Sequence, residues 1–122
     1  MERICFLNKV EISRIIFDII RQELNIEDRV IENNPYNEIR SKCILLNTNG
    51  NNQLYLVSTI YDGSLHFTLD VYRRGKRIRR SNMFGNAGNV SYTFTRQTKE
   101  DFEKDCISEF WRAYNNLPRY YK

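Results

Sequence analysis

The sequence predicts an α+β fold with two layers, in which an antiparallel sheet packs against an N-terminal and a C-terminal helix. Two patterns predict it: apolar residues recur at helical spacing near both ends, and alternating runs separated by turn dipeptides fill the middle. The chain has 122 residues, the length of one domain, so we expect a single α+β domain over residues 1–122. Hydrophobic residues make up 41%, enough for a core without disulfides.

The first helix is predicted over residues 8–24. Its charged residues Glu11, Arg14, Asp18 and Arg21 alternate in sign at steps of three and four, so they form one narrow polar stripe. The remaining surface is apolar and wider than one sheet face can cover. The helix is therefore wedged between the sheet and a second element, or it meets a second protomer, and this second reading favours a homodimer. The apolar positions are Val10, Ile12, Ile15, Ile16, Phe17, Ile19, Ile20 and Leu24.

After a polar connection over residues 25–38, turn dipeptides divide the chain into a meander of four to five strands. The third run alternates most clearly. Leu65, Phe67, Leu69 and Val71 are predicted to be buried, whereas Thr68 and Asp70 on the opposite face are predicted to be exposed. The predicted strands are 39–47, 53–61, 65–73, a fourth run after Arg74 and Gly75, and 90–95.

The last helix is predicted from Thr98 to residue 116, where Leu117 and Pro118 end it. Thr98 and Asp101 have the spacing of a capping box. We expect this helix to pack on the same sheet face as the first, and the tail over residues 119–122 to be frayed. The inner stripe consists of Phe102, Cys106, Phe110, Ala113 and Leu117.

One segment, residues 73–80, concentrates the positive charge. It holds six basic residues and no acidic one, a charge of +6 in a chain whose net charge is +4. The other residues, 13 basic against 15 acidic, therefore carry a net charge of −2. Such segregation favours a binding role for the segment. The alternative is a charged edge that only blocks pairing with other strands, or a solvated tip.

If Arg74 and Gly75 form a two-residue hairpin loop, the register follows. Val71 then lies opposite Ile78 on the core face, and on the outer face Tyr72 lies opposite Arg77 and Asp70 opposite Arg79. Tyr72 and Arg77 would be placed for a cation–π contact. Basic hairpins with aromatic side chains contact phosphates and stack on bases. The candidate ligand-binding residues here are Arg73, Arg74, Lys76, Arg77, Arg79, Arg80 and Tyr72.

The loop predicted over residues 82–89 is a second candidate. Its residues Gly85 and Gly88 would let backbone N–H groups approach an anion, with Asn86 between them as a ligand-binding candidate. The spacing matches neither a P-loop nor a dinucleotide-binding fingerprint. A plain flexible loop explains the same composition.

No catalytic, metal or cofactor motif is visible. His66 is the only histidine and is expected on the outer face as a surface residue, and the three cysteines are widely spaced without a C-x-x-C pair. We therefore predict that the protein is not an enzyme and has no catalytic residues, metal ligands or cofactor. Without a signal peptide or an apolar run long enough for a membrane helix, it is predicted to be cytoplasmic and to have no membrane partner.

The sequence thus favours a small binding protein that engages a phosphate-bearing ligand, nucleic acid or nucleotide, through a cationic β-hairpin. An acidic protein surface is the other partner that such a patch would fit. The alternative function is a protein–protein inhibitor or immunity-type protein, which would use the apolar first helix and the aromatic C-terminal end. A phage or mobile-element origin would suit either function.

Overall fold

The computed structural model describes residues 8–34, 41–84 and 98–122. Two α-helices and five strands make up most of these ranges, followed by a short 3-10 helix. In chain order the elements are α1 (Lys9–Glu23), β1 (Glu32–Asn33), β2 (Ser41–Asn49), β3 (Asn52–Tyr61), β4 (Ser64–Arg73), β5 (Lys76–Asn82), α2 (Lys99–Asn115) and η1 (Arg119–Tyr121).

The strands form one sheet in the order β1-β2-β3-β4-β5, and every neighbouring pair is antiparallel. The structure confirms the predicted meander and the turns at its dipeptides. Arg74 and Gly75 have φ values of 53° and 79°, and Asp62 and Gly63 have values of 50° and 74°. Two successive positive φ values are what a type I′ hairpin turn requires.

One of the five described strands, β1, was not predicted. It is Glu32–Asn33, which lies in the segment predicted to be a connection, and it pairs with β2. Two polar residues are too short a run to show an alternating pattern, so propensity could not detect this strand. The predicted strand over residues 90–95 lies outside the described residues.

Both helices pack on one face of the sheet, here called the inner face, as predicted. Leu65, Phe67, Leu69 and Val71 are fully buried there. The ring of Phe17 from α1 meets the ring of Phe67 edge to face, with centroids 5.3 Å apart. A buried hydrogen bond of 2.7 Å between Ser13 Oγ and Ser58 Oγ also joins α1 to β3. Each hydroxyl thereby has the partner that a buried polar group requires.

The wide apolar arc of α1 is explained within one chain. Ile12, Ile16 and Ile20 belong to the same core cluster as Phe110 and Ala113 of α2 and the inner-face residues of the sheet. The two helices are also joined where Trp111 Nε1 donates to Glu23 Oε2 at 3.0 Å. The sheet and α2 thus cover most of the arc that favoured a homodimer, while Val10 near its start stays 57% exposed, so the width of the arc no longer requires a second protomer.

The opposite face, the outer face, is less exposed than predicted. Thr68 is 6% exposed and Asp70 is 0% exposed, so the expectation that both face solvent is wrong. A second apolar cluster on this face contains Cys43, Tyr55, Val57 and Tyr72. Period-two alternation tells which side chains share a face, but it does not tell whether that face is covered.

The C-terminal segment is ordered against the sheet. The predicted inner stripe of α2 is buried, and Thr98 Oγ1 accepts from the N–H of Asp101 at 3.3 Å as the cap. The tail, expected to be frayed, forms η1 instead. The side chain of Asn49 donates to the carbonyl oxygens of Tyr120 and Lys122, and Tyr121 packs against the core.

The two described cysteines should react slowly with a thiol reagent. Cys43 and Cys106 are free and buried, and burial raises both thiol pKa values, that of Cys43 to about 11. A rise of the Cys43 pKa from 9.0 to about 11 lowers its thiolate fraction at pH 8 by about 100-fold. We expect modification of these two by 5,5′-dithiobis(2-nitrobenzoate) in a Cys5→Ser variant to follow unfolding. Rapid reaction in the native protein would contradict their burial.

Candidate functional site

The β4–β5 hairpin begins with the register that the sequence predicts. Arg73 lies opposite Lys76, and Tyr72 lies opposite Arg77 on the outer face. Arg74 and Gly75 form the two-residue loop between them. All six basic residues of the segment 73–80, here called the cationic hairpin, are exposed.

A β-bulge then shifts the register by one residue. Val71 lies opposite Arg79 and Asp70 opposite Arg80, so the predicted pairings of Val71 with Ile78 and of Asp70 with Arg79 are both wrong. The extra residue is Ile78, which still packs against the inner core. The shift turns Ser81 toward α2, where its hydroxyl donates to the carbonyl oxygen of Ala113 at 2.6 Å.

The bulge determines which of the two neighbouring arginines pairs with Asp70. Arg80 forms a bidentate pair with Asp70, with Nε to Oδ1 and Nη2 to Oδ2 both at 2.9 Å. The Asp70 side chain is fully buried, whereas that of Arg80 is 35% exposed. The hydrogen bonds that Arg80 donates to Asp70 raise the pKa of the Arg80 guanidinium above its ordinary value. Arg79 instead lies toward the inner face, with its guanidinium carbon 6.0 Å from the centroid of the Tyr121 ring.

Tyr72 is on the outer face as predicted, but it is only 2% exposed. Its hydroxyl accepts from Asn34 Nδ2 at 3.2 Å, and its ring meets that of Tyr55 with centroids 5.7 Å apart. Burial raises the pKa of the Tyr72 phenol above its ordinary value. In this position the ring cannot offer a face to a base. The other predicted ligand-binding residue, Asn86, lies outside the described residues.

Four basic residues remain at the exposed end of the hairpin, and the structure adds asparagines beside them. Arg73 and Arg74 line an open cleft of about 450 Å³, here called the tip cleft, together with Asn51 of the β2–β3 turn and Asn52, the first residue of β3. Arg73 Nε donates to Asn52 Oδ1 at 2.8 Å, which fixes one wall. Sequence reasoning missed both asparagines, although a meander necessarily places alternate turns at the same end of the sheet.

A second cleft lies on the outer face. It measures about 390 Å³ and is here called the outer-face cleft. His66 lines it and lies directly opposite Thr59, while Thr68 lies opposite Asn82. The prediction for His66 was a surface position without a role, because a single strand pattern does not show which neighbours complete a cleft. The described lining residues are Thr59, Tyr61, His66, Thr68, Arg77, Arg80 and Asn82.

Metal and membrane features were searched in the same residues. Within residues 8–34, 41–84 and 98–122, no three His, Cys, Asp or Glu side chains come together in a way that would hold a metal ion. The α-helices of these ranges fall short of the length and apolarity that crossing a bilayer requires. Comparisons with protein-family models, with curated proteins and with solved structures found no match to this chain.

Proposed function

We propose that the protein is a non-enzymatic, cytoplasmic binding protein that engages a phosphate-bearing ligand, nucleic acid or nucleotide, through the cationic hairpin. One observation carries this proposal. In the described part of the chain, Arg80 is the one basic residue of the hairpin that forms an ion pair, and the other five are exposed cations. Exposed, unpaired guanidinium and ammonium groups are the groups that neutralise phosphates.

The surroundings of the hairpin support the same ligand. The segments that meet at this end are residues 49–52, 73–80 and 118–122, and none contains Asp or Glu. A ligand phosphate would therefore meet no carboxylate from these segments. The tip cleft adds the exposed amide group of Asn51, and asparagine amides hydrogen-bond phosphate oxygens or sugars in nucleic-acid complexes. The Asn52 amide is buried and already accepts from Arg73 and donates to the carbonyl oxygen of Tyr120.

The alternative, a protein–protein inhibitor or immunity-type protein, has less support. Its two surfaces were to be the apolar arc of α1 and the aromatic end of α2, but both contribute to the core. Trp111 and Tyr114 are half-buried against it. Among the residues that the structure describes, the large apolar side chains that stay exposed are spread over α1, the α1–β1 connection, the end of β3 and η1, namely Val10, Val30, Ile60, Tyr61 and Tyr120.

Removing three charges from the hairpin tests the proposal. In the variant Arg74→Gln, Lys76→Gln, Arg77→Gln, we expect the affinity for a labelled single strand of about 12 nucleotides to fall at least about tenfold. The slope of log K against log salt should decrease by about two units, since each lost phosphate contact with a single strand contributes about 0.7. Fluorescence anisotropy between about 50 and 200 mM salt measures both quantities.

A variant with the same net charge serves as the control. Arg14→Gln, Lys99→Gln, Lys104→Gln removes three exposed cations from the helices. Its affinity and salt slope should change little, and both variants should unfold within about 0.5 kcal/mol per substitution of the parent protein. Equal losses in the two variants would mean that binding depends on net charge alone. Salt-insensitive binding, or none, would overturn the proposal, and salt-insensitive capture of a protein would favour the inhibitor alternative.

A further inference from the structure

The outer-face cleft contains a polar group that the fold itself does not use. Thr68 is 6% exposed, and its Oγ1 has no hydrogen-bond partner among residues 8–34, 41–84 and 98–122. A buried hydroxyl without a partner lowers stability, and such groups are uncommon in folded proteins. Thr68 is one of the residues that line this cleft of about 390 Å³.

The other groups of the cleft are matched to a nucleoside phosphate. Arg77 is exposed and in the described residues has no carboxylate partner, so it can hold a phosphate. Tyr61 is 61% exposed, and its ring offers a face for a base. His66, Asn82 and Thr59 supply both donors and acceptors for a base edge or a ribose. None of the described lining residues is acidic.

From these groups we infer that the outer-face cleft binds one nucleoside phosphate unit, either a free mononucleotide or an unpaired nucleotide of a single strand. The inference rests on the proposed function and deepens it, because Arg77 belongs to both the hairpin and the cleft. The hairpin contacts phosphates, whereas the cleft takes one base with its sugar. The volume lies in the range of small-molecule sites and matches a nucleotide rather than a duplex.

The chain provides its own reporter for this test. His66 is the only histidine, so its imidazole proton resonances report on the cleft without assignment of other residues. Titration with adenosine monophosphate or uridine monophosphate at constant pH should shift these resonances to saturation. Adenosine alone and inorganic phosphate alone should each bind more weakly. Phosphate that shifts them as strongly as the nucleotide would overturn the inference, because the cleft would then be an anion site without a place for a base.

Two hydroxyl variants give a matched comparison. Thr68→Val keeps the side-chain shape and removes the unpartnered hydroxyl, so it should not lower stability but should weaken mononucleotide binding by about tenfold. Ser41→Ala removes the other buried hydroxyl without a partner in the described residues, which does not line the cleft, and should leave binding unchanged. Tyr61→Ala should also weaken binding, by roughly tenfold. Equal affinities of the Thr68→Val and Ser41→Ala variants would overturn the inference.

The two proposals fail in different ways. If oligonucleotide binding depends on salt and on the hairpin while the His66 resonances do not respond to mononucleotides, the cleft inference is overturned and the hairpin proposal stands. If mononucleotides bind in the cleft but the variant Arg74→Gln, Lys76→Gln, which leaves Arg77 of the cleft in place, binds oligonucleotides normally, the hairpin proposal is overturned and the cleft inference stands. Displacement of the mononucleotide by a short single strand, but not by its duplex, identifies the unpaired strand as the source. Failure of that displacement identifies the free nucleotide.

Discussion

Replacement of Phe67 by alanine is expected to lower the free energy of unfolding by about 3 to 5 kcal/mol. Phe67 is fully buried in the centre of β4, and its ring packs edge to face on Phe17 of α1. Truncation removes the apolar area of a whole ring and leaves a cavity between the sheet and the helix. Part of the loss also comes from the ring–ring contact, which contributes about 0.5 to 1.5 kcal/mol beyond the buried area.

Urea denaturation followed by circular dichroism measures this loss. Tyr61→Ala is the control, because its ring is 61% exposed, and it should change the free energy of unfolding by less than about 1 kcal/mol. Phe67→Leu should fall between the two, and it keeps the comparison measurable if the alanine variant does not fold. Similar losses for Phe67→Ala and Tyr61→Ala would show that α1 does not pack on β4 as described.

The parts of the fold that the sequence predicted are those set by local rules. Arg74 and Gly75 predict a two-residue hairpin turn from their residue types alone. Ile78, three residues later, is half-buried against the inner core, as an apolar residue in the returning strand is expected to be. The stripe of α2 is equally local, because side chains at steps of three and four share a helix face whatever lies against it. These features were therefore predicted correctly, including the placement of both helices on one face.

The parts that were predicted wrongly depend on neighbours distant in the chain. The bulge at Ile78 lets Ser81 reach the carbonyl oxygen of Ala113, a residue of a helix that follows much later in the sequence. Asp70 is buried because the outer face carries its own apolar cluster, which alternation within one strand cannot show. The tail is held by hydrogen bonds from Asn49, the last residue of β2.

The candidate site shows the same division. Charge clustering in residues 73–80 is visible in the sequence, and the structure leaves all six of these cations exposed. The sequence does not distinguish Arg80, which pairs with a buried carboxylate, from Arg79, which does not. It also does not predict the two clefts, since Asn52 and Thr59 join them only through the register of β3 against β4.

Replacement of Arg80 by methionine is expected to lower the free energy of unfolding by about 2 to 3 kcal/mol. Asp70 is fully buried, and Arg80 is its ion-pair partner in the described residues, so the substitution leaves a buried carboxylate without its counter-charge. Breaking a buried pair in this way costs about 3 to 5 kcal/mol. The Arg80 side chain is 35% exposed, so water reaches one side of the pair and screens its charges. We therefore expect a loss of unfolding free energy at or below the lower end of that range, about 2 to 3 kcal/mol.

Arg79→Met is the matched control, because it removes the adjacent arginine of the same strand from the opposite face. The guanidinium carbon of Arg79 lies 6.0 Å from the centroid of the Tyr121 ring, at the outer limit of a cation–π contact. Replacing Arg79 should therefore lower the free energy of unfolding by less than about 1 kcal/mol. The double variant Asp70→Asn, Arg80→Met should recover about half of the loss in Arg80→Met, because a neutral amide is less costly to bury than an unpaired carboxylate. Equal losses for Arg79→Met and Arg80→Met, or no recovery in the double variant, would mean that the pair contributes nothing to stability.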